Sequence, residues 1–428
     1  MKYNLLLPAI FLLFVFTFSS CENDPVHCQE NVYCENYVVW IAHPFTSIGD
    51  GKVQLRWMRP MSWGPPPNRP IITVDPDYFI VYFAENDMSN FRRLIELDRS
   101  KLQQDGRFYT HIVDNLQNGN SYFFYLVSKK EGIRPVRSDT IMVVPNRRKS
   151  FETLSISGGH VSVSYQRNKI AFSASHTWNN GNNEAISVFI SNTDGSEREL
   201  IRISAHQPSW SPVSNKLAFS FAYVVPQEGR WFDQIAIYNY ETKTFTQLTR
   251  GGYSNGAPVF SENGEFLLYH STRNAPTFNI WLFNLKTLES HQITDIAQTS
   301  LAAVYAPRWI DNDRFLFSGI CSVSRRYQIL ESSISTRQIN KVFDSKWNDS
   351  SPAISPDQRK IAFISDRASR INQVWIYHID TNTYTQITGY SIYEHVGQHS
   401  YIEWLDNSTI VFTISDNQGF RAVKQRIE

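Results

Sequence analysis

From residue 151 to the C-terminus the chain repeats one hydrophobic pattern. Six short apolar runs each end in an aromatic: Ile170-Ala171-Phe172, Leu217-Ala218-Phe219, Leu267-Leu268-Tyr269, Phe315-Leu316-Phe317, Ile361-Ala362-Phe363 and Ile410-Val411-Phe412. Subtracting their positions separates successive aromatics by 47, 50, 48, 46 and 49 residues. About seven residues before each run sits an apolar anchor, in order Val163, Trp210, Phe260, Trp309, Ile354 and Trp404. A third apolar strand follows in each unit, such as Ile280-Trp281-Leu282-Phe283. A fourth ends on Gln-x-Thr, as in Gln247-Leu248-Thr249, Gln292-Ile293-Thr294 and Gln386-Ile387-Thr388. A period in the forties with several strands per unit predicts a six-bladed β-propeller over 151–428, because no single blade can hide its own faces.

The sixth unit ends at Glu428 after only three strands. Thr153 to Ser157, just ahead of Gly158-Gly159, is the candidate for its missing fourth strand. Pairing the first strand of the propeller with its last blade would close the ring and remove an exposed edge. The pattern Ser355-Pro356-Asp357, Ile361-Ala362-Phe363, Ser365-Asp366-Arg367, Val374-Trp375-Ile376-Tyr377 and Gln386-Ile387-Thr388 is similar to the TolB-type propeller repeat. The Asp366-Arg367 step in it is expected to tie a loop.

Residues 37–145 follow another rule. Period-2 alternation in Tyr37–Ile41, Val53–Trp57, Tyr78–Phe83, Tyr109–Val113, Tyr122–Ser128 and Asp139–Val144 predicts an all-β sandwich of about seven strands. Trp57-Met58-Arg59-Pro60 resembles the second-strand Trp and Pro of fibronectin type III domains. Leu116 to Tyr122 resembles their tyrosine corner, in which the Tyr hydroxyl bonds nearby backbone. Met61 to Pro76, with Trp63 and Pro65-Pro66-Pro67, departs from that family as an insertion.

The N-terminus is an export signal over residues 1–20. Lys2, the apolar run Leu5 to Phe18 and Ser19-Ser20-Cys21 form a charged region, a hydrophobic region and a cleavage point. Phe18-Ser19-Ser20-Cys21 resembles a lipobox, which implies lipidation of Cys21. Glu22-Asn23-Asp24 resembles the acidic stretch of surface lipoproteins of the Bacteroidetes. Residues 21–36 then form a tether. Within it Cys28 and Cys34 lie six positions apart, suiting a disulfide or two free thiols in an exported chain. Cys321 has no obvious partner and reads as a buried apolar residue.

Charge removes one class of partner. With 41 basic and 40 acidic residues the chain has no electrostatic footprint for nucleic acid. Gly252-Tyr253-Ser254-Asn255-Gly256 is a formal nucleophile-elbow motif, but strands rather than a helix are expected to flank it, so no catalytic residue is assigned. No CxxC or HExxH motif supports zinc, and neither a metal nor a cofactor is expected. The residues read as chemically useful lie on the face formed by the loops after the second and fourth strands of the blades. They are Trp178, Asn180, Tyr223, Arg230, Trp231, His206, Tyr253, His395 and His399, with long loops expected over Ala174–Glu184 and Phe221–Asp233. Exposed aromatics beside amides suit protein contacts or sugar stacking.

The sequence therefore points to a non-enzymatic lipoprotein of the outer membrane, periplasmic or surface-exposed, whose propeller docks an envelope protein or a surface glycan. The alternative is a propeller lyase or hydrolase with a metal in its axial cavity. In that reading His395-Val396-Gly397-Gln398-His399 and His206-Gln207 resemble the metal-holding set of oligogalacturonate lyases. Anchoring is directly testable. Cys21→Ala is expected to abolish membrane fractionation while leaving the globular part folded, and labelled palmitate taken up by the wild type should be absent from the variant.

Overall fold

A computed structural model describes residues 38–427 apart from 41–44, 59–60, 64–70, 74–75, 106–107, 132, 148–150, 155, 179–180, 182, 227–228, 369–370, 390–395, 398–399 and 417–418. Cys21, Cys28, Cys34, Asn180, His395 and His399 fall outside the described residues.

The C-terminal region forms six four-stranded antiparallel sheets, five of them each continuous in sequence and the sixth assembled from both ends of the region. Blade one runs from Gly159–Val163 at the axis through Lys169–Trp178 and Asn183–Asn192 to Glu199–Ile203 at the rim. Its successors start at Ala205–Trp210, Asn255–Phe260, Leu301–Trp309, Asp349–Ile354 and Glu403–Asp406. The repeat aromatics Phe172, Phe219, Tyr269, Phe317, Phe363 and Phe412 are all buried. They sit in the second strands, so each fills the layer between its own sheet and a neighbour.

The polar part of the repeat is explained by hydrogen bonds. The hydroxyls of Thr249, Thr294 and Thr388 accept the backbone N–H of Ile235, Ile280 and Val374 at 2.8, 2.8 and 2.9 Å. Gln247, Gln292 and Gln386 donate to the carbonyls of the same three threonines. Gln-x-Thr thus replaces backbone ladder bonds where the rim strand leaves its blade. Ser164, Ser261 and Ser355 likewise accept the first N–H of the second strand, at 3.0 to 3.1 Å.

Each inner strand of the first five blades carries a bulge. At it one residue adopts left-handed backbone: His160, Gln207, Ala257, Ala306 and Ser351, with φ between 49° and 56°. A non-glycine residue there costs about 1–2 kcal/mol. Bonds to the preceding blade offset part of that cost. Gln207 N–H donates to the Ser173 hydroxyl at 3.1 Å, Ala257 N–H to the Gln207 side-chain carbonyl at 2.8 Å, and Ser351 N–H to the Ser318 hydroxyl at 2.9 Å. Two anchor tryptophans add further ties between blades. Trp309 Nε1 donates to the Val259 carbonyl and Trp404 Nε1 to that of Ala353, at 3.1 and 2.9 Å.

The ring closes between chain ends. Glu152–Thr153 pairs with the outermost of the three C-terminal strands, Gly419–Arg426, in the register Glu152↔Lys424 and Thr153↔Val423. Leu154 N–H donates to the Ala422 carbonyl and Ala422 N–H to that of Ile156, both at 3.0 Å. Leu154 and Ile156 are buried among Ile170, Phe172, Val411 and Ala422, between blades one and six.

The N-terminal region holds two further antiparallel sheets. One orders Phe45–Gly49, Lys52–Met58, Phe108–Val113 and Gln103–Asp105. The other orders Ile133–Arg137, Tyr122–Lys130, Tyr78–Glu85 and Arg92–Asp98, with Ile141–Val143 also on Tyr122–Lys130. Fully buried Trp57, Phe79, Tyr109 and Phe124 come from both, and Trp57 meets Phe79 edge-on at 5.2 Å. The Tyr122 hydroxyl accepts Gln117 N–H at 3.0 Å. Val38–Trp40 does not join these sheets. It pairs with Met61–Trp63, and that strand with Ile71–Thr73, so parts of the insertion form a small sheet of their own.

Arg367 joins the two regions. It is 1% exposed, yet its guanidinium bonds Asp349 at 2.7 Å and the Ser365 hydroxyl at 2.9 Å, and lies 4.5 and 4.8 Å from the Tyr384 and Phe363 ring centres. Its backbone carbonyl accepts Met142 N–H of the N-terminal region at 2.8 Å. Beside it Trp347 stacks on Phe123, and Ile48 N–H reaches the Gly389 carbonyl at 3.1 Å. One hydrophobic cluster runs from Trp57 and Phe124 to Phe363 and Trp375.

Ring closure is open to test by truncation. A chain beginning at Gly158 loses the closing strand and two buried side chains worth roughly 1.5 to 3 kcal/mol each. It is expected to melt well below one beginning at Arg148, or to aggregate through the exposed edge. Equal melting midpoints for two monomers would contradict this.

Candidate functional site

The connections after the second and fourth strands share one face of the propeller. The N-terminal region packs on that face at blade five, through the contacts of Arg367, Gln386 and Gly389. The equivalent edge of blades one and two stands tallest. The two central strands of each are 10 residues long, against 6 in blades three and five. Ala174–Trp178 with Asn183–Glu184, and Phe221–Val225 with Arg230–Asp233, are therefore strand extensions, where long loops were expected from sequence. The β-branched and aromatic residues Tyr223-Val224-Val225 keep pairing, in register with Phe232, Trp231 and Arg230. Four extra residues per strand lift each hairpin roughly 13 Å above the shorter blades.

Several residues singled out in the sequence meet on blade two. Trp231 is 68% exposed near the hairpin tip, so it does not fold back over its blade. Arg230 beside it is exposed, whereas Tyr223 is half-buried against Phe221. His206 faces Asp233 at 3.7 Å on the same blade, and burial pushes its imidazole below the ordinary histidine range despite that carboxylate. Tyr253 lies apart, half-buried between blades two and three, its carbonyl accepting from Gln234 at 2.9 Å. Trp178 pairs through its backbone with Asn183 in the blade-one hairpin.

Ser254 sits at a junction between strands. Its N–H donates to the Thr272 hydroxyl at 3.0 Å, and Asn255–Phe260 follows at once as a strand. That backbone lacks the helix a nucleophile elbow requires. Cys321 is half-buried rather than buried, and bonds from the Ser324 hydroxyl and amide hold its thiol below the usual range. Among the described residues no group of three or more His, Cys, Asp or Glu side chains is placed to hold a metal, and no helix is long and apolar enough to cross a membrane.

A second site lies on the propeller axis and opens on the opposite face. Every blade contributes to a cavity of about 310 Å³. Its charged lining residues are Glu262, Arg308 and Glu403. Arg308 and Glu403 each stand one position before an anchor tryptophan, where the other blades carry Ser162, Ser209, Val259 and Ala353. Period-2 alternation brings that position to the channel when its anchor wedges between blades. These two residues were not recognised as candidates from the sequence. The available signal was a charged side chain at a position otherwise Ser, Ala or Val.

Tyr401 crosses the axis beside this cavity. It enters from the start of blade six, packs on Ala257 of blade three and Ala306 of blade four, and meets the His160 ring of blade one edge-on at 4.7 Å. Burial pushes its hydroxyl up to about 12. The Arg308 guanidinium lies 4.1 Å over its ring. Burial also drives the Glu403 carboxyl up to about 7, with Arg308 opposing the shift.

No protein-family model matches this sequence, and no curated protein matches it. Among solved structures, TolB from Acinetobacter baumannii aligns with a TM-score of 0.46 at 16% identity, over 73% of this chain and 78% of that one. The β-propeller domain of the Trilobed protease from Pyrococcus furiosus gives 0.42 at 14% identity, over 65% and 98%. Its structural neighbours are TolB-like propeller proteins. Porphyromonas gingivalis dipeptidyl peptidase 4 stands beside them with a TM-score of 0.36 at 11% identity, over 71% and 51%. At such identities the likeness concerns the fold alone.

The Glu403 shift carries a stability prediction. An acid whose folded pKa is raised from 4.5 to about 7 favours the fold while protonated, so stability is lost as pH rises from 4.5 through 7. At about 1.4 kcal/mol per unit the loss is on the order of 3 kcal/mol. Glu403→Gln should therefore melt higher than the wild type at pH 8 but not at pH 4.5, in thermal melts of both proteins.

Proposed function

We propose that this chain is a lipid-anchored envelope protein that binds a partner rather than catalysing a reaction. Its docking surface is centred on the blade-two hairpin around Trp231. The observation that carries the proposal is Trp231, 68% exposed and flanked by exposed Arg230, on a hairpin raised above the face. An exposed indole beside a guanidinium is the composition of binding hot spots and is unfavourable to leave in water. In this reading the N-terminal sheets are a fibronectin type III-like spacer. Fully buried Trp57 and the bond from Gln117 N–H to the Tyr122 hydroxyl support it. Cys21 carries the lipid, and the protein resides at the outer membrane, periplasmic or surface-exposed.

The partner is an envelope protein, with a surface glycan as the competing occupant. The enzyme alternative draws less support. A metal-dependent mechanism in the axial cavity would find only the Glu262 and Glu403 carboxylates as ligands among the described lining residues, fewer than the three or more side chains of a protein metal site.

Capture from native envelopes tests the proposal. Wild-type protein should retain a specific partner, and Trp231→Ala should weaken that capture by about 30-fold, the ~2 kcal/mol expected of a hot spot. A glycan array run in parallel separates the two partner classes. Undiminished capture by the variant would move the docking surface elsewhere.

A further inference from the structure

The axial cavity holds opposite charges that do not neutralise each other directly. Arg308 of blade four and Glu403 of blade six occupy equivalent places in their strands, and Ala353 holds that place in the blade between them. One Arg308 N–H is spent on the adjacent Pro307 carbonyl at 3.0 Å, and the rest of the guanidinium covers Tyr401. No donor among the described residues bonds the Glu403 carboxyl group. Elsewhere in this propeller a buried charge is handled differently, for Arg367 is bound directly to Asp349 at 2.7 Å. A structural pair would be expected to close in the same way, since leaving either member unpaired in a partly dry site is costly. The arrangement in the cavity leaves one donor group and one acceptor group facing a shared space.

That space matches a small ligand. Its volume of about 310 Å³ lies at the small end of ligand sites. Trp309 and Trp404 flank the two charges along the chain. We propose that the axial cavity binds a small zwitterion, a free amino acid or an unblocked dipeptide, with its carboxylate on Arg308 and its ammonium on Glu403. Arg supplies the planar donor fork that a carboxylate matches. Glu403 supplies the counter-charge for the amine.

The electrostatics add a signature. Glu403 is half protonated near neutrality without ligand, and an ammonium group would draw it back to the ionised form. Binding then releases a proton and strengthens as pH rises from 6 to 8. The other groups facing the cavity do not produce this: a guanidinium does not titrate in this range, Tyr401 stays neutral, and Glu262 stands exposed at the mouth.

Titration calorimetry of the detergent-solubilised full chain with Ala-Ala as probe decides the matter. Free Ala-Ala should bind more tightly at pH 8 than at pH 6. N-acetyl-Ala-Ala and Ala-Ala amide should each bind at least tenfold more weakly. In Glu403→Gln the penalty for N-acetylation should vanish while that for amidation remains, and Arg308→Gln should show the reverse. No binding by free Ala-Ala at millimolar concentration overturns the proposal, as does equal binding of the blocked forms to the wild type. The wild-type comparison needs no variant and decides even if a substitution unfolds the propeller.

Discussion

Two short segments at opposite ends of the propeller hold the ring together. Glu152–Thr153 lies against Gly419–Arg426, and Leu154 and Ile156 continue the contact into the layer between blades six and one. Every other blade is continuous in sequence and buries its faces against neighbours that follow directly. Only blade six is assembled from both ends, so only there does stability depend on pairing across the whole domain. With the ring closed, every blade has two neighbours, and no inner strand presents an open face. The inner strands are then forced toward one axis, which is why their bulges and side chains meet.

Convergence on the axis has a local cost that the ring sustains. His160, Gln207, Ala257, Ala306 and Ser351 all hold left-handed backbone at matching places. For Gln207, Ala257 and Ser351 the amide freed by the bulge is taken up by a side chain of the preceding blade. The strain and its compensation therefore lie on different blades. Tyr401 completes the arrangement by reaching across to blades three and four, so that the cavity on the far face is lined beyond it by Arg308 and Glu403.

The same propeller positions the N-terminal region. Burying a guanidinium costs several kcal/mol, and Asp349, Ser365 and the surrounding ring faces offset that cost for Arg367. Held in this way, Arg367 offers its carbonyl to Met142, and Trp347 beside it offers a flat surface to Phe123. The N-terminal region consequently covers the face at blade five. The raised hairpins of blades one and two, including Trp231, belong to other blades of that face.

Repeat number, strand order and the closing strand were all legible in the chain, because each follows from a local period and from the rule that a strand edge must be paired. The buried aromatics Phe172, Phe219, Tyr269, Phe317, Phe363 and Phe412 stand where the period puts them. The Gln-x-Thr endings were visible as pattern, although their bonding to the third strand was not. What escaped sequence reading was local pairing that composition disguised, and the meeting of side chains that no repeat position marks. The length of the blade-one and blade-two hairpins was decided by continued cross-strand pairing, where composition alone suggested loops. Arg308 and Glu403 are 95 positions apart. Each is unremarkable within its own strand, and only closure of the ring brings them into one cavity, where partial burial lifts the Glu403 carboxyl above the ordinary carboxylate range.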